Sequence, residues 1–544
     1  MSRPHRRMLT LPSAQELTQG GNPIRLRKKK DRFLFMTYNL LAQSLVRRDM
    51  FPYASQKALR WKFRRQNILQ EFLAFGPDLA CLQEVDFWDE FYYPNLTKAG
   101  YETAYYKNNN KKHGCAIIWR RSRFEKVEQK TLEYDDIGQP TFMTGNIGLM
   151  VGLRPLQHTN ENPDPNADMV LADEEDGEES TGNGANGDGE TKIPGGILVA
   201  TTHLFWRPDG SYERLRQASI LLEKIKEWNQ TLDFTVLLGG DFNTTPRDAA
   251  YRVMTRNAMP PHQIPNLEKW LEDEVARVQE AEANANATPG EGGSGDVKDT
   301  TAACEKEPDT VDRLIAQTEK LDLEKASNGA QDPKVQENKK DKDLPYRAPP
   351  TGIILPKQSA AKAPSVEGQP QSTVVDSADF AVSEDPKIRH LAAVDASAES
   401  GGEDARVIAP LEAFTPPRDL QTAVESFPRC ISIYGQYESL TKDSPAEEDP
   451  IAAAATAAEE STATKAHTEH THGEPVFTNF ATWFKDTLDY VYLLDEPIPK
   501  NGARLVPLRL LEIPDKSHLG HGLPDEKFSS DHLCLMVEFA ILSV

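Results

Sequence analysis

The feature that most constrains this chain is a series of short apolar runs, each ending in a polar residue of one chemical type. "FLFMTYN" alternates as a strand and stops at Asn39, and "DLACLQE" is a buried run that ends at Glu84. "GILVATTH" ends at His203, and "TVLLGGDFN" ends in Asp241 and Asn243. "CAIIWR" and "IGLMVGL" read as strands whose ends carry no acid. Near the C-terminus, "TLDYVYLL" places Asp489 at a strand start, and "SSDHLCLMVEF" puts Asp531 and His532 just before the last strand. Helical patterns stand between these runs: Ala58, Trp61, Ile68, Leu69, Phe72 and Leu73 recur at helical spacing, and "SYERLRQASILLEKIKEW" follows His203. Strands interleaved with helices predict an α/β core, and such folds hold ligands at the carboxyl ends of their strands.

The stretch "LLGGDFNTTPRD" sharpens the question. Gly239 and Gly240 allow a sharp turn or a close approach of another group, and Thr245-Pro246 reads as an N-cap followed by the first helical residue. A lone Asp-x-Asn on such a turn is most simply an Asx-type hydrogen-bonded turn. The other polar ends have equally plain readings taken singly: Asn39 as a helix cap, Glu84 as an arginine partner, Asp489 as a solvated strand end. Together they assemble a different chemistry. Oxygen ligands suit a hard cation that keeps its waters and bridges to phosphate, a carboxylate can deprotonate water, and amides and imidazole stabilise phosphoryl oxygens.

Composition separates this core from the rest of the 544 residues. The formal net charge is −22, but the acid is concentrated in three segments. Residues 155–196 carry about −10, residues 258–425 about −14 and residues 441–474 about −6, which exceeds the deficit of the whole chain. Rich in Ala, Glu, Asp, Ser, Thr, Pro and Gly with few aromatics, these segments are expected to be disordered insertions, with "LEKWLEDEVARVQEAEANA" and "TVDRLIAQTEKLDLEK" as transient, partner-binding helices. What remains is roughly 270 residues in four pieces, enough for one sizeable core. Residues 1–30 are expected to be a disordered basic tail: a nuclear signal, an arm for RNA phosphates, an organellar presequence, or a tail with no address. Five scattered cysteines without a Cys-x-x-Cys pair argue against a disulfide framework or a thiolate zinc site, and no apolar run approaches a membrane span.

The ordered series "TYNLLAQ", "CLQEVD", "THLFW", "GDFNTTP", "TLDY" and "SSDH" resembles the endonuclease/exonuclease/phosphatase superfamily. Within it the chain is most similar to the deadenylase-like branch of nocturnin and angel proteins. "RRDMFPYASQKALRWKFRRQNIL" and "KKHGCAIIWRR" point to the fungal Ngl-type RNA exonucleases. The resemblance covers the four core pieces and none of the acidic insertions. It implies a four-layered α/β sandwich of two packed mixed sheets flanked by helices, with residues 31–544 forming one interrupted domain. It implies Mg²⁺ as cofactor, with Mn²⁺ able to substitute, held by Glu84, Asn39 and Asp531. It gives the catalytic roles to Asp241 (water activation), Asn243 (scissile phosphate), His532 (phosphoryl oxygens) and Asp489 (orienting His532). Phosphate contacts fall to His203, Arg207 and Lys107, and base stacking to Phe484. The chain departs from the pattern at Leu41, where some DNA-repair members carry an Asp, and at Lys485-Asp486-Thr487, where the branch often has Lys-Gly.

Three functions are weighed on this footing. The leading one is a Mg²⁺-dependent RNA 3′–5′ exonuclease acting on single-stranded RNA or an RNA 3′ end, deadenylase-like or trimming, and releasing 5′-nucleotides. The alternative keeps the chemistry on a small substrate: a dinucleotide, an inositol phosphate or a phospholipid headgroup. A non-catalytic binding module is disfavoured because every expected catalytic position is kept. The expectation is a monomer in the cytoplasm or nucleus, with the mitochondrion left open, no membrane attachment, and protein partners met through the acidic insertions.

Overall fold

The computed structural model describes residues 3–19, 31–156, 195–286, 405–442 and 471–542. Among these, two mixed sheets are each built around one parallel strand pair. The first sheet has seven strands, β1 (Met8–Thr10), β2 (Arg32–Asn39), β3 (Leu79–Val85), β4 (Tyr101–Tyr106), β5 (Gly114–Arg120), β16 (Arg504–Leu511) and β17 (Leu535–Leu542), in the order β1-β16-β17-β2-β3-β5-β4. The second has six, β6 (Phe124–Glu133), β8 (Ile147–Pro155), β9 (Ile197–Thr202), β10 (Thr235–Asp241), β12 (Arg429–Ser432) and β15 (Asp489–Asp495), in the order β12-β15-β10-β9-β8-β6. Two further ribbons pair β7 (Phe142–Met143) with β11 (Ala405–Arg406) and β13 (Asn479–Phe480) with β14 (Lys485–Asp486). The parallel pairs are β2 with β3 and β9 with β10.

Alternation along the strands explains the four layers. Phe33 and Phe35 of β2 face inward with Leu79 and Cys81 of β3, and meet Leu149, Val151, Val199 and Leu237 of the other sheet in one buried cluster. Met36 and Tyr38 point the other way, onto Ile68, Leu69 and Phe72 of helix α3 (Trp61–Phe75). On the far face of the second sheet, Leu198, Ala200, Val236 and Leu238 bury against Leu215, Leu222 and Ile225 of the long helix α5 (Ser211–Leu232). This helix–sheet–sheet–helix sandwich is the architecture the resemblance implies.

Both glycines of "LLGGD" lie within β10, neither at a positive φ, and serve close approach. A Cβ at Gly239 would sit 2.7 Å from the Phe35 ring of the facing sheet, and one at Gly240 would sit 2.6 Å from the Thr202 carbonyl oxygen. Thr245 does not cap a helix. The next helix, α6 (Ala249–Thr255), is capped by Asp248, whose side chain accepts from the Ala250 N–H.

The folded chain also reaches further than composition predicts. Residues 3–19 are not a loose tail: β1 pairs with β16, and helix α1 (Pro12–Gln19) follows. Helix α7 (Gln263–Asn286) occupies the first part of the 258–425 segment, with Ile264, Leu267, Leu271 and Val275 buried at helical spacing. Helix α8 (Pro417–Glu425) closes the same segment, burying Leu420 and Val424 in that cluster. Thr471 and Glu474 are buried as well, inside what reads as the third insertion. The expectations for residues 20–30, 157–194, 287–404 and 443–470 lie outside the described residues.

Candidate active site

The two parallel pairs end side by side, and that places the site. Asn39 ends β2 and Glu84 lies near the end of β3; Asp241 ends β10 and His203 follows β9, bridged to Asp241. Asn39 is the joint between the sheets. Its Nδ2 donates at 2.9 Å to Glu84 Oε1 and at 2.9 Å to Asp241 Oδ2, while its Oδ1 accepts from the Leu41 N–H. Glu84 has a left-handed backbone at φ 53°, and its Oε2 accepts from the Ala42 N–H at 2.9 Å.

Asp489 and His532 enter from the antiparallel neighbours. Asp489 stands opposite Asp241 in the β10–β15 ladder, and its Oδ2 is 2.8 Å from His532 Nδ1 and accepts from Thr478 Oγ1 at 2.6 Å. His532 then points Nε2 at Asp241 Oδ2, 3.6 Å away. Burial pushes the His532 imidazole down, but the Asp489 and Asp241 carboxylates outweigh it and hold the ring protonated well above the usual histidine range. Burial raises the Asp241 carboxyl, an effect that the nearby His532 opposes and Asp489 reinforces. His203 lies 3.6 Å from Asp241 and 3.9 Å from Glu84, and burial drives it down to about 4, so at neutral pH it is an uncharged imidazole.

The donor set suits a hard cation. Asp489 Oδ1 and Asp531 Oδ1 are buried without a hydrogen-bond partner, which is costly for a carboxylate oxygen unless something positive meets it. Burial raises Asp531, His532 lowers it, and the Glu84 charge raises it again, which sets two carboxylates within range of each other. Asp241, Asp489 and His532 also form a buried group whose atoms lie within 4.8 Å of one another. Their mutual contacts already occupy the Asp489 Oδ2 and His532 Nδ1 atoms, whereas each Glu84 oxygen accepts a single hydrogen bond and Asp531 Oδ1 accepts none, which leaves both carboxylates lone pairs for a cation.

The remaining expected residues are placed as follows. Asn243, with φ 47°, donates its backbone N–H to Asp241 Oδ1 and its Nδ2 to the Leu204 carbonyl, so it both closes the Asx turn and sits beside the Asp241 carboxylate. Arg207 is held by two 3.0 Å bonds to Asp209 and lies 5.1 Å over the Phe142 ring. Lys107 Nζ donates to the Lys111 carbonyl at 3.2 Å and is not joined to the carboxylate cluster. Phe484 and the 43% exposed Trp483 stand in the loop of the β13–β14 hairpin, with ring centroids 6.1 Å apart. Asn479 of that hairpin is bridged to His532. Asp486 forms an ion pair with Arg247.

Two residues escape the sequence reading. His113 lies 6.4 Å from His203, ring to ring, and burial together with the charge of Lys111 holds it well below the usual histidine range. Lys111 also depresses His203, so its ammonium acts on the site from the loop between β4 and β5. The signal was the polar run "KNNNKKH" directly before a strand that enters the core beside β3.

Comparison with known proteins agrees with this geometry. Residues 36–294 match the Endonuclease/Exonuclease/phosphatase family. The chain is 34% identical over 242 residues to the RNA exonuclease NGL2 of Saccharomyces cerevisiae, covering 41% of this chain and 42% of that protein. It is 36% identical over 255 residues to a probable RNA exonuclease of Schizosaccharomyces pombe, covering 46% and 42%. Against the carbon catabolite repressor protein 4 homolog 4 of Arabidopsis thaliana it is 30% identical over 275 residues, covering 48% and 65%. The chain thus spans less than half the length of the two yeast relatives. By these matches the chain is similar, over residues 36–294 and so a little under half of its length, to the Endonuclease/Exonuclease/phosphatase family.

Proposed function

We propose that the protein is a divalent-metal-dependent RNA 3′–5′ exonuclease, with Mg²⁺ as the metal and Mn²⁺ able to replace it. The observation that carries this reading is the Asn39 junction, which brings Glu84 and Asp241 from two sheets to one point beside the Asp489–His532 pair. The names of the yeast relatives, both RNA exonucleases, support the polymer as substrate. Glu84, Asn39 and Asp531 would hold the cation, which supplies charge neutralisation at the phosphate.

The chain's own residues then divide the work. Asp241 takes a proton from the attacking water as its oxygen bonds to phosphorus. The bond from phosphorus to the penultimate 3′ oxygen breaks, that oxygen is protonated from solvent, and a 5′-nucleotide leaves. The His532 imidazolium, oriented by Asp489, faces the charge that builds on the phosphoryl oxygens. Asn243 and the neutral His203 bind those oxygens by hydrogen bonds. Lys111, rather than Lys107, adds positive charge to the site, and Arg207 contributes through its Asp209-braced guanidinium. Phe484 takes the terminal base, a stack worth about 1–3 kcal/mol. The described residues act as one domain, with β1 of the N-terminal segment included in its first sheet. No described helix is long and apolar enough to cross a membrane. The reading places the protein with its RNA in the cytoplasm or nucleus, as a monomer.

A panel of single-stranded RNA, RNA with a structured body and a 3′ tail, and a phosphorylated dinucleotide tests this, each with Mg²⁺ or EDTA. Stepwise shortening of RNA that needs the metal and vanishes in Asp241→Ala is expected. Phosphate release from the dinucleotide with RNA left intact would replace the polymer by a small substrate.

A further inference from the structure

Asp531 and His532 belong to residues 512–534, the excursion from β16 to β17, whose only helical turn among the described residues is Lys516–His518. Backbone bonds to β13 and its flank hold parts of this loop, from the Phe480 N–H to the Asp531 carbonyl and from the Leu533 N–H to the Thr478 carbonyl, and side chains hold much of the rest. The N-terminal segment supplies the grip. Arg6 is 8% exposed and uses all three guanidinium nitrogens. Its Nε donates to the Glu512 carbonyl at 2.6 Å, its Nη2 to the Cys534 carbonyl at 2.7 Å and its Nη1 to Cys534 Sγ at 3.1 Å. One planar group therefore ties the first residue of the loop to the last.

Arg3 grips the middle. Its Nε donates to the Lys527 carbonyl at 2.8 Å, and its Nη2 to the Asn67 carbonyl and Oδ1 of α3. Asn67 carries the link onward, donating Nδ2 to the Lys527 carbonyl and at 2.8 Å to Ser529 Oγ. Arg64, fully buried on the same helix, donates to the Ser529 carbonyl at 2.8 Å and to the Leu40 carbonyl at 2.9 Å. Ser530 Oγ then donates to the Asn39 carbonyl and accepts from the His532 N–H. The strap itself is anchored by the β1–β16 ladder and by Leu11, buried and bonded to the Leu508 carbonyl. The buried Glu71 carboxylate, 3.7 Å from Arg3, balances the charge.

We propose that Arg3 and Arg6 are positioning residues, and that residues 3–11 form a strap holding the 512–534 loop so that Asp531 and His532 meet the rest of the site. The proposal deepens the nuclease reading and rests on it for its kinetic consequence. The test uses the full-length protein with Arg3→Ala, Arg6→Ala and Arg6→Lys, and Arg7→Ala as control. The Arg7 side chain is 59% exposed and, among the described residues, pairs with the Glu512 side chain, while the backbone bond from the Glu512 N–H to the Arg7 carbonyl survives Arg7→Ala. Hydrogen exchange of residues 527–534 is read alongside kcat and KM on single-stranded RNA.

Exchange should quicken at 527–534 while α5 is unchanged. The kcat of Arg6→Ala should fall about 10- to 100-fold with KM constant, the scale of a small misplacement of reacting groups. Arg6→Lys, which keeps the charge and loses the fork, should fall between, and Arg7→Ala should match the wild type. Unchanged exchange and kcat in Arg3→Ala and Arg6→Lys, or exchange that quickens evenly across the fold, would overturn the strap. A wild-type protein inactive on RNA would instead refute the nuclease reading, and exchange alone would still decide the strap.

Discussion

Asn39 uses its one amide nitrogen to hold two carboxylates from different sheets, so the site depends on its being an amide. Asn39→Asp would put three carboxylates together and leave Glu84 Oε1 and Asp241 Oδ2 without their shared donor. The expected cost is roughly 1–3 kcal/mol of stability, larger in EDTA than in excess Mg²⁺. Urea unfolding in the two conditions measures it, and equal losses would speak against a cation at this junction. Asp489→Asn is a different kind of change: Thr478 can still bond to the side chain, but the largest of the charges that hold His532 protonated is gone. Its kcat should fall on the order of 10²- to 10⁴-fold with the fold intact by circular dichroism. The residues of both changes were legible in the sequence as polar strand ends. Their contacts were not, because nothing local ties residue 39 to residue 241 until two sheets have packed. Arg207 is the opposite case, since its Asp209 partner stands two residues away and is open to view in the sequence.

Elements repeat the lesson. Strands announced themselves through alternation, and α3 and α5 through apolar spacing. Helix α7 was hidden by its Glu- and Ala-rich surface, although Ile264, Leu267, Leu271 and Val275 carry a helical stripe. The same masking applies to Glu474, which reads as insertion and is in fact buried against α6. Tyr251 donates to its Oε1 at 2.8 Å, and burial raises its carboxyl to about 7 from the usual 4.5. The folded state therefore binds this proton more tightly than the unfolded state does. Its stabilising effect is full below about pH 4.5 and is lost as pH rises through about 7. The whole span corresponds to roughly 3 kcal/mol. Glu474→Gln, uncharged throughout, should remove that slope. Urea unfolding at pH 5.5 and pH 8 should show the variant gaining on the wild type at the higher pH, and a constant difference would count against the buried carboxyl as its source.

At the scale of the whole molecule, charge and fold part company. Residues 287–404 carry a net charge of about −9, while α7 and α8 on either side bury apolar side chains against α5. Composition draws one boundary, at 258 and 425, and packing draws another, at 286 and 405. Two deletions distinguish them. Joining Asn286 to Ala405 through a short Gly/Ser linker keeps both helices, together with the β7–β11 pairing and the Arg406 ion pair with Asp209. Removing 258–425 uncovers the α5 face that Leu267, Leu271, Leu420 and Val424 cover. Burying such a side chain is worth about 1.5–3 kcal/mol, so losing four of them removes about 6–12 kcal/mol, comparable with the whole stability of a typical domain. The shorter deletion should melt cooperatively within a few degrees of the full chain, and the longer one should aggregate or melt early. With about −9 of charge gone, the shorter variant should also bind single-stranded RNA more tightly at low salt, the gain shrinking as salt rises. A variant whose affinity at low salt equals that of the full chain would mean that this acid does not repel RNA.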